Sequence, residues 1–285
     1  MNRISISQAW SHATGFFSGQ AVNHAVVLIG VGIVVPLLLQ FVLGGGAAMT
    51  DPMAFAGARG MAAMGPLAML LGLINYVLQT GSYFASWRIG FSNGGESLGG
   101  AIAYGMIAAL PVLLLVIAAA IILVLLAFLV FGGAFLPMLM GGQPSQAATA
   151  TTGILMLLLI PLFLLFLVWL GARLCCMGPV MADRRSFNVL TGLNESWQMT
   201  AASQWKIFGY FLLIGLALMV MFMVMGAIVG LSMFAGGGAP STGSMVGLIV
   251  GAMLLGIPMA YLQVAVPAGI YRALGGQVSQ GDIFA

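Results

Sequence analysis

The sequence predicts an all-α integral membrane protein with about six transmembrane helices, joined by amphipathic helices that lie at the membrane interface. Three observations predict it. Of 285 residues, 62% are hydrophobic and only 5% charged, where a soluble domain carries roughly 25% charged residues. The apolar residues form long unbroken runs such as Ala108–Phe131, whereas a membrane β-barrel shows alternating segments of about ten residues. Runs long enough to cross a bilayer, about 20 residues each, recur along the whole chain. Helices follow, because in lipid every backbone N–H and C=O must be satisfied within the protein.

The elements can be justified in order. Ile6, Trp10, Ala13 and Phe17 recur at helical spacing and predict an amphipathic helix ahead of the first span. Spans are expected near Val22–Leu43, Met61–Gly81, Gly100–Phe131, Gly153–Cys175, Ile207–Phe234 and Ser244–Pro267. A second amphipathic helix is expected where Leu190, Leu193, Trp197 and Ala201 share one stripe. Trp10, Trp87, Trp197 and Trp205 are candidate interfacial anchors, since an indole suits the headgroup level. Pro36, Pro111, Pro161 and Pro258 mark expected kinks, and Gly226/Gly230 and Gly247/Gly251 are small-residue pairs that allow close helix approach.

Charge sets the expected orientation. The loops Gly44–Gly60, Gly132–Thr152 and Ala235–Gly243 carry one basic residue, Arg59. The other side holds Arg3, Arg88, Arg184, Arg185, Lys206 and Arg272. The positive-inside rule then places both termini in the cytoplasm. A cleaved signal peptide is not expected, because an amphipathic stretch separates Arg3 from the first apolar run.

The chain reads as a single membrane domain, 1–285, containing three hairpin units near 5–90, 91–186 and 187–285. Each unit has an interfacial helix, a span out and a span back. Ile6, Trp10 and Ala13 correspond to Leu193, Trp197 and Thr200. Pro179–Arg184 corresponds to Pro267–Arg272, and Tyr83–Arg88 has the same form without the proline.

Catalytic and metal-binding patterns are not evident. His12 and His24 have no second ligand at zinc spacing, and His24 reads as a packing or interfacial residue. The adjacent Cys175 and Cys176 do not form a disulfide framework. No Gly-x-Ser-x-Gly element or phosphate-binding loop occurs, and no cofactor is expected. The basic residues are too dispersed for nucleic acid. Arg88, Arg173, Arg184, Arg185, Lys206 and Arg272 are candidate contacts for lipid headgroups or a protein partner, with Glu96, Asp183 and Glu195 as candidate ion-pair partners. Arg173 lies inside a span, where a charge must either snorkel to the interface or pair with an acid such as Glu195 or Glu96.

Residues Arg173–Asp183, then Leu193–Trp197, then Trp205–Ile207 resemble a multi-span membrane domain family. Its members are attached to some bacterial glycerophosphodiester phosphodiesterases or occur as related six-span proteins of unknown function. The resemblance implies a bacterial inner-membrane location and a lipid-related module acting with other proteins. It does not carry over phosphodiesterase activity, which in such fusions belongs to a soluble barrel domain. The expected function is a non-enzymatic module that binds membrane lipids or scaffolds a protein partner, including a second copy of itself. A transporter component for an apolar or lipid-like substrate and a lipid-modifying enzyme are the alternatives.

Overall fold

The computed structural model describes residues 4–43, 58–92, 94–139, 146–235 and 242–275. Among these residues the chain is helical, with no strands. In order, the helices are α1 (Ile6–Gly15), α2 (Ala21–Leu43), α3 (Ala58–Phe91), α4 (Leu98–Leu139), α5 (Gln146–Leu174), α6 (Met177–Asp183), α7 (Val189–Thr200), α8 (Gln204–Ala235) and α9 (Thr242–Ala273).

Five segments are long and apolar enough to cross a membrane: Ala21–Leu43, Gly65–Phe91, Leu98–Leu129, Leu157–Asp183 and Val189–Val224. This is an all-α membrane protein. The expected span Ser244–Pro267 falls in α9, where the side chains of residues 244–252 lie outside those described. The second crossing runs ten residues past the expected Met61–Gly81, to Phe91. Polar residues near its end are absorbed locally. The Ser82 hydroxyl donates to the Gln79 carbonyl at 2.7 Å, and Arg88 is ion-paired.

Two of the helices depart from regular geometry. In α3, Gly65 adopts φ +46°, a left-handed conformation that glycine tolerates, directly before Pro66. In α2 the turns over Val26–Val34 are π-helical, and they end just before Pro36. A proline ring clashes with the carbonyl four residues back, here Gly32, and wider turns relieve that clash.

The interfacial stripes differ from expectation. In α1 the buried side chains are Ala9 and Ala13, with Phe16 just beyond, while Ile6 and Trp10 are exposed. In α7 the buried residues are Val189, Gly192, Ser196 and Thr200, while Leu190 and Trp197 are exposed. Both helices therefore turn small residues to the bundle, while their expected stripes divide: Ile6, Trp10, Leu190 and Trp197 face outward, and Ala13, Phe17 and Leu193 pack toward the core. Small residues win the inner face because the backbones meet there. A Cβ on Gly269 of α9 would collide with the Ala9 carbonyl, and one on Gly192 would lie 2.8 Å from Met181 Cγ.

Of the expected glycine pairs only Gly226 is among the residues whose side-chain surroundings are described. A Cβ on Gly226 would touch nothing within 4 Å, while Gly230, Gly247 and Gly251 lie outside the residues whose side chains are described. Among the described residues a tight crossing lies between α3 and α4. There a Cβ on Gly105 would lie 2.8 Å from the Ala85 nitrogen and clash with the Gly81 carbonyl.

Candidate functional site

The charged residues gather at one end of the bundle, where α3, α6 and α9 finish and α4, α7 and α8 begin. Arg88 closes α3. Its Nε donates to Glu96 Oε2 at 2.8 Å, and its Nη1 donates to the Ala182 carbonyl at 3.1 Å, at the end of α6. The cation thus caps a helix C-terminus, where orphan carbonyls favour positive charge. Arg185 reaches the other oxygen of Glu96 at 3.5 Å and holds φ +53°, a left-handed backbone that turns the chain out of α6. Arg184 pairs with Glu195 of α7.

The pairs are asymmetric in exposure. The Arg184 and Arg185 side chains are 57% and 61% exposed, against 20% for Glu195 and 10% for Glu96. The carboxylates point inward and the guanidinium groups outward. Asp183, expected in an ion pair, instead accepts from the Tyr271 hydroxyl at 2.8 Å. Tyr104 donates to the Met181 carbonyl at 2.7 Å. These two tyrosines tie α9 and α4 to the short helix α6.

Arg173 follows neither expected course. It is buried, so it does not snorkel to the surface, and it pairs with neither Glu96 nor Glu195. Its guanidinium carbon sits 4.1 Å from the centre of the Trp197 ring, and its Nη1 donates to Thr200 Oγ1 at 3.3 Å. Around it, Ser196 Oγ donates to the Arg173 carbonyl at 2.9 Å and accepts from the Cys176 N–H at 3.2 Å. Helix α7 therefore holds the junction of α5 and α6 through hydroxyl groups on its inner face.

The remaining cations serve the chain's own backbone. Lys206 Nζ donates to the Ile4 carbonyl at 3.3 Å, and the Ile4 N–H donates to Ser203 Oγ at 3.1 Å. Arg272 Nη2 donates to the Gly90 carbonyl at 3.0 Å, with its guanidinium over the Phe16 and Phe91 rings.

Of the expected tryptophan anchors, Trp10, Trp197 and Trp205 are exposed. Trp87 departs from that expectation. It is a core residue whose Nε1 donates to the Val264 carbonyl at 2.9 Å, with its ring against Gly178, where a Cβ would not fit. An indole that finds a backbone acceptor has no need of the interface.

Sequence reasoning missed the second-rank polar residues Tyr104, Ser196, Thr200 and Tyr271. The one available signal was the spacing of Ser196 and Thr200, which places two hydroxyls on one face of α7. No protein-family model, curated protein or solved structure matches this chain.

Proposed function

We propose that this protein is a non-enzymatic membrane module whose charged end faces the cytoplasm and holds anionic lipid headgroups. The observation that carries the reading is the outward presentation of Arg184 and Arg185 over inward carboxylates. Such a face is cationic to anything approaching it, although the cluster itself is nearly balanced. Basic residues beside an anionic leaflet contribute about 1 kcal/mol each. The exposed Ile6 and Trp10 of α1 and Leu190 and Trp197 of α7 support the same placement, since they suit the boundary between headgroups and acyl chains.

A threefold hairpin repeat and a sixth span in α9 belong to the proposal. The contacts support a cyclic order. α4 crosses the return span α3 at Gly105, α7 rests on α5 and α6, and α1 rests on α9 at Gly269. The first and third units meet a return span through α1 and α7, while the second meets one through the span α4 itself, with no separate helix described between Phe91 and Leu98. The resemblance of Arg173–Ile207 to the phosphodiesterase-associated membrane domain supports a module of this kind, one that works beside other proteins in a bacterial inner membrane.

The test is native mass spectrometry of the full chain released from nanodiscs of mixed phosphatidylglycerol and phosphatidylcholine. Phosphatidylglycerol should be retained in preference, and the Arg184→Gln/Arg185→Gln variant should lose that preference by roughly 5-fold per arginine, from about 1 kcal/mol each. Equal retention of both lipids by the unaltered protein would sink the reading.

A further inference from the structure

A cavity of about 380 Å³ lies between the α1–α2 turn and the last turns of α3 and α9. Its size falls within the roughly 300–1,000 Å³ of small-molecule sites. It is separate from the exposed Arg184–Arg185 face, and Gly19, Gln20, His24, Gly90 and Arg272 are among the residues that line it.

We propose that this cavity takes a phosphate group, carried by a lipid headgroup or by a soluble phosphate ester. Three features converge on that chemistry. Arg272 is held in the wall by the Gly90 carbonyl and by the Phe16 and Phe91 rings, and its Nε is buried with no hydrogen-bond partner among the described residues. A guanidinium fixed in this way is preorganised for a phosphate oxygen.

His24 supplies the second feature. It is fully buried, its Nδ1 lies 2.7 Å from Ser86 Oγ, and its Nε2 has no partner among the described residues. When Ser86 donates to Nδ1, the ring proton sits on Nε2, which is the form that serves an anion. A buried polar atom left unpaired costs free energy that a ligand recovers.

The third feature is the start of the continuous 23-residue helix α2. The first intrahelical bond there is from the His24 N–H to the Gln20 carbonyl, and Gln20 makes no side-chain cap. Of the residues at this helix start, Gln20 and His24 line the cavity, so its positive end borders the wall. The carboxylate within Coulombic reach of Arg272 is Asp183, which does not line the cavity and is held by Tyr271.

The inference rests on the lipid-headgroup reading only for a lipid source of the phosphate. With histidine-labelled full chain in detergent, the two imidazoles, His12 and His24, are followed by nitrogen NMR. Glycerol 3-phosphate and dihexanoyl-phosphatidic acid are titrated separately. A saturable shift of His24 alone, with the proton on Nε2, supports the site. A response to glycerol 3-phosphate assigns a soluble ester, and a response to phosphatidic acid alone assigns a lipid. Gln20→Glu puts a negative charge at the rim and keeps the oxygen that accepts from Asn23, so it should weaken binding at least about tenfold without unfolding the chain. Arg184→Gln/Arg185→Gln should leave the His24 response unchanged, which separates this site from the outer face. No shift with either probe, or an undiminished shift in Gln20→Glu, would overturn the proposal.

Discussion

The guanidinium of Arg173 stacks 4.1 Å from the centre of the Trp197 ring, joining the end of α5 to the inner half of α7 without any carboxylate. With Arg173 buried and Trp197 partly exposed, a contact of this kind contributes about 1 kcal/mol. It solves the problem of an intramembrane charge by polarisable contact and a hydroxyl rather than by an ion pair.

An asymmetry between variants follows. Arg173→Leu removes a charge and leaves the Thr200 hydroxyl its bond to the Ser196 carbonyl, so it should be tolerated to within about 1–2 kcal/mol. Trp197→Ala leaves the buried cation only its Thr200 bond and also removes ring packing, so it should cost more than Arg173→Leu, by about 1–2 kcal/mol. Thermal unfolding in detergent ranks the two, and the reverse order would contradict the stacked arrangement.

Arg88–Glu96 and Arg184–Glu195 should differ in a double-mutant cycle. The first pair is largely shielded and carries further bonds to α6, whereas Arg184 is more than half exposed. We expect a coupling of about 1–3 kcal/mol for the first and below about 1 kcal/mol for the second, with the second falling further in high salt. Denaturant or thermal unfolding of the four variants of each pair gives the numbers.

At the α3–α4 crossing, Gly105→Ala should destabilise by about 1–3 kcal/mol, because the atoms it meets are backbone and cannot yield. Gly215→Ala meets open space and should be neutral or stabilising by up to about 1 kcal/mol through helix propensity. Equal effects would argue against the close crossing.

Ser196→Ala removes the acceptor of the buried Cys176 N–H and should cost about 1–3 kcal/mol. Ser196→Thr, which keeps the hydroxyl, should recover part of that loss. Folded yield on size-exclusion chromatography distinguishes them.

A reporter fused after Ala285 should be active only in its cytoplasmic form, given the excess of basic residues on that side. Activity of an extracytoplasmic reporter at that position would reverse the proposed orientation.

Much of the architecture was legible because lipid imposes length and hydropathy directly on the sequence. Ala108–Phe131 reads as a span without ambiguity, and the two amphipathic helices were recoverable from their spacing. Which face of each helix turns inward was not. Hydropathy directs attention to Ile6, Trp10 and Leu190, but in a membrane the apolar side has lipid as a competing partner, and small residues at Ala9, Ala13 and Gly192 decide protein contact. The same competition hid the role of Trp87, whose indole nitrogen found the Val264 carbonyl. Arg173 was visible as an anomaly, but its partners lie 24 and 27 residues away on a different helix, and side-chain chemistry alone favoured an acid. The cavity beside His24 was illegible, since it depends on Gln20, Gly90 and Arg272 converging from three separate parts of the chain.

Burial along the helices falls away from the charged end. In α4 the last buried residue is Val112, in α8 it is Tyr210, and in α5 none precedes Ala172, among the described side chains. These three helices are therefore packed at their roots, whereas α2 and α3 stay buried further along, to Gly32 and Leu71. A hydrophobic stretch longer than the hydrocarbon layer meets the mismatch by tilting, kinking or locally thickening the bilayer. A thinner bilayer increases that mismatch for α4, whose candidate span of 32 residues is longer than a typical crossing.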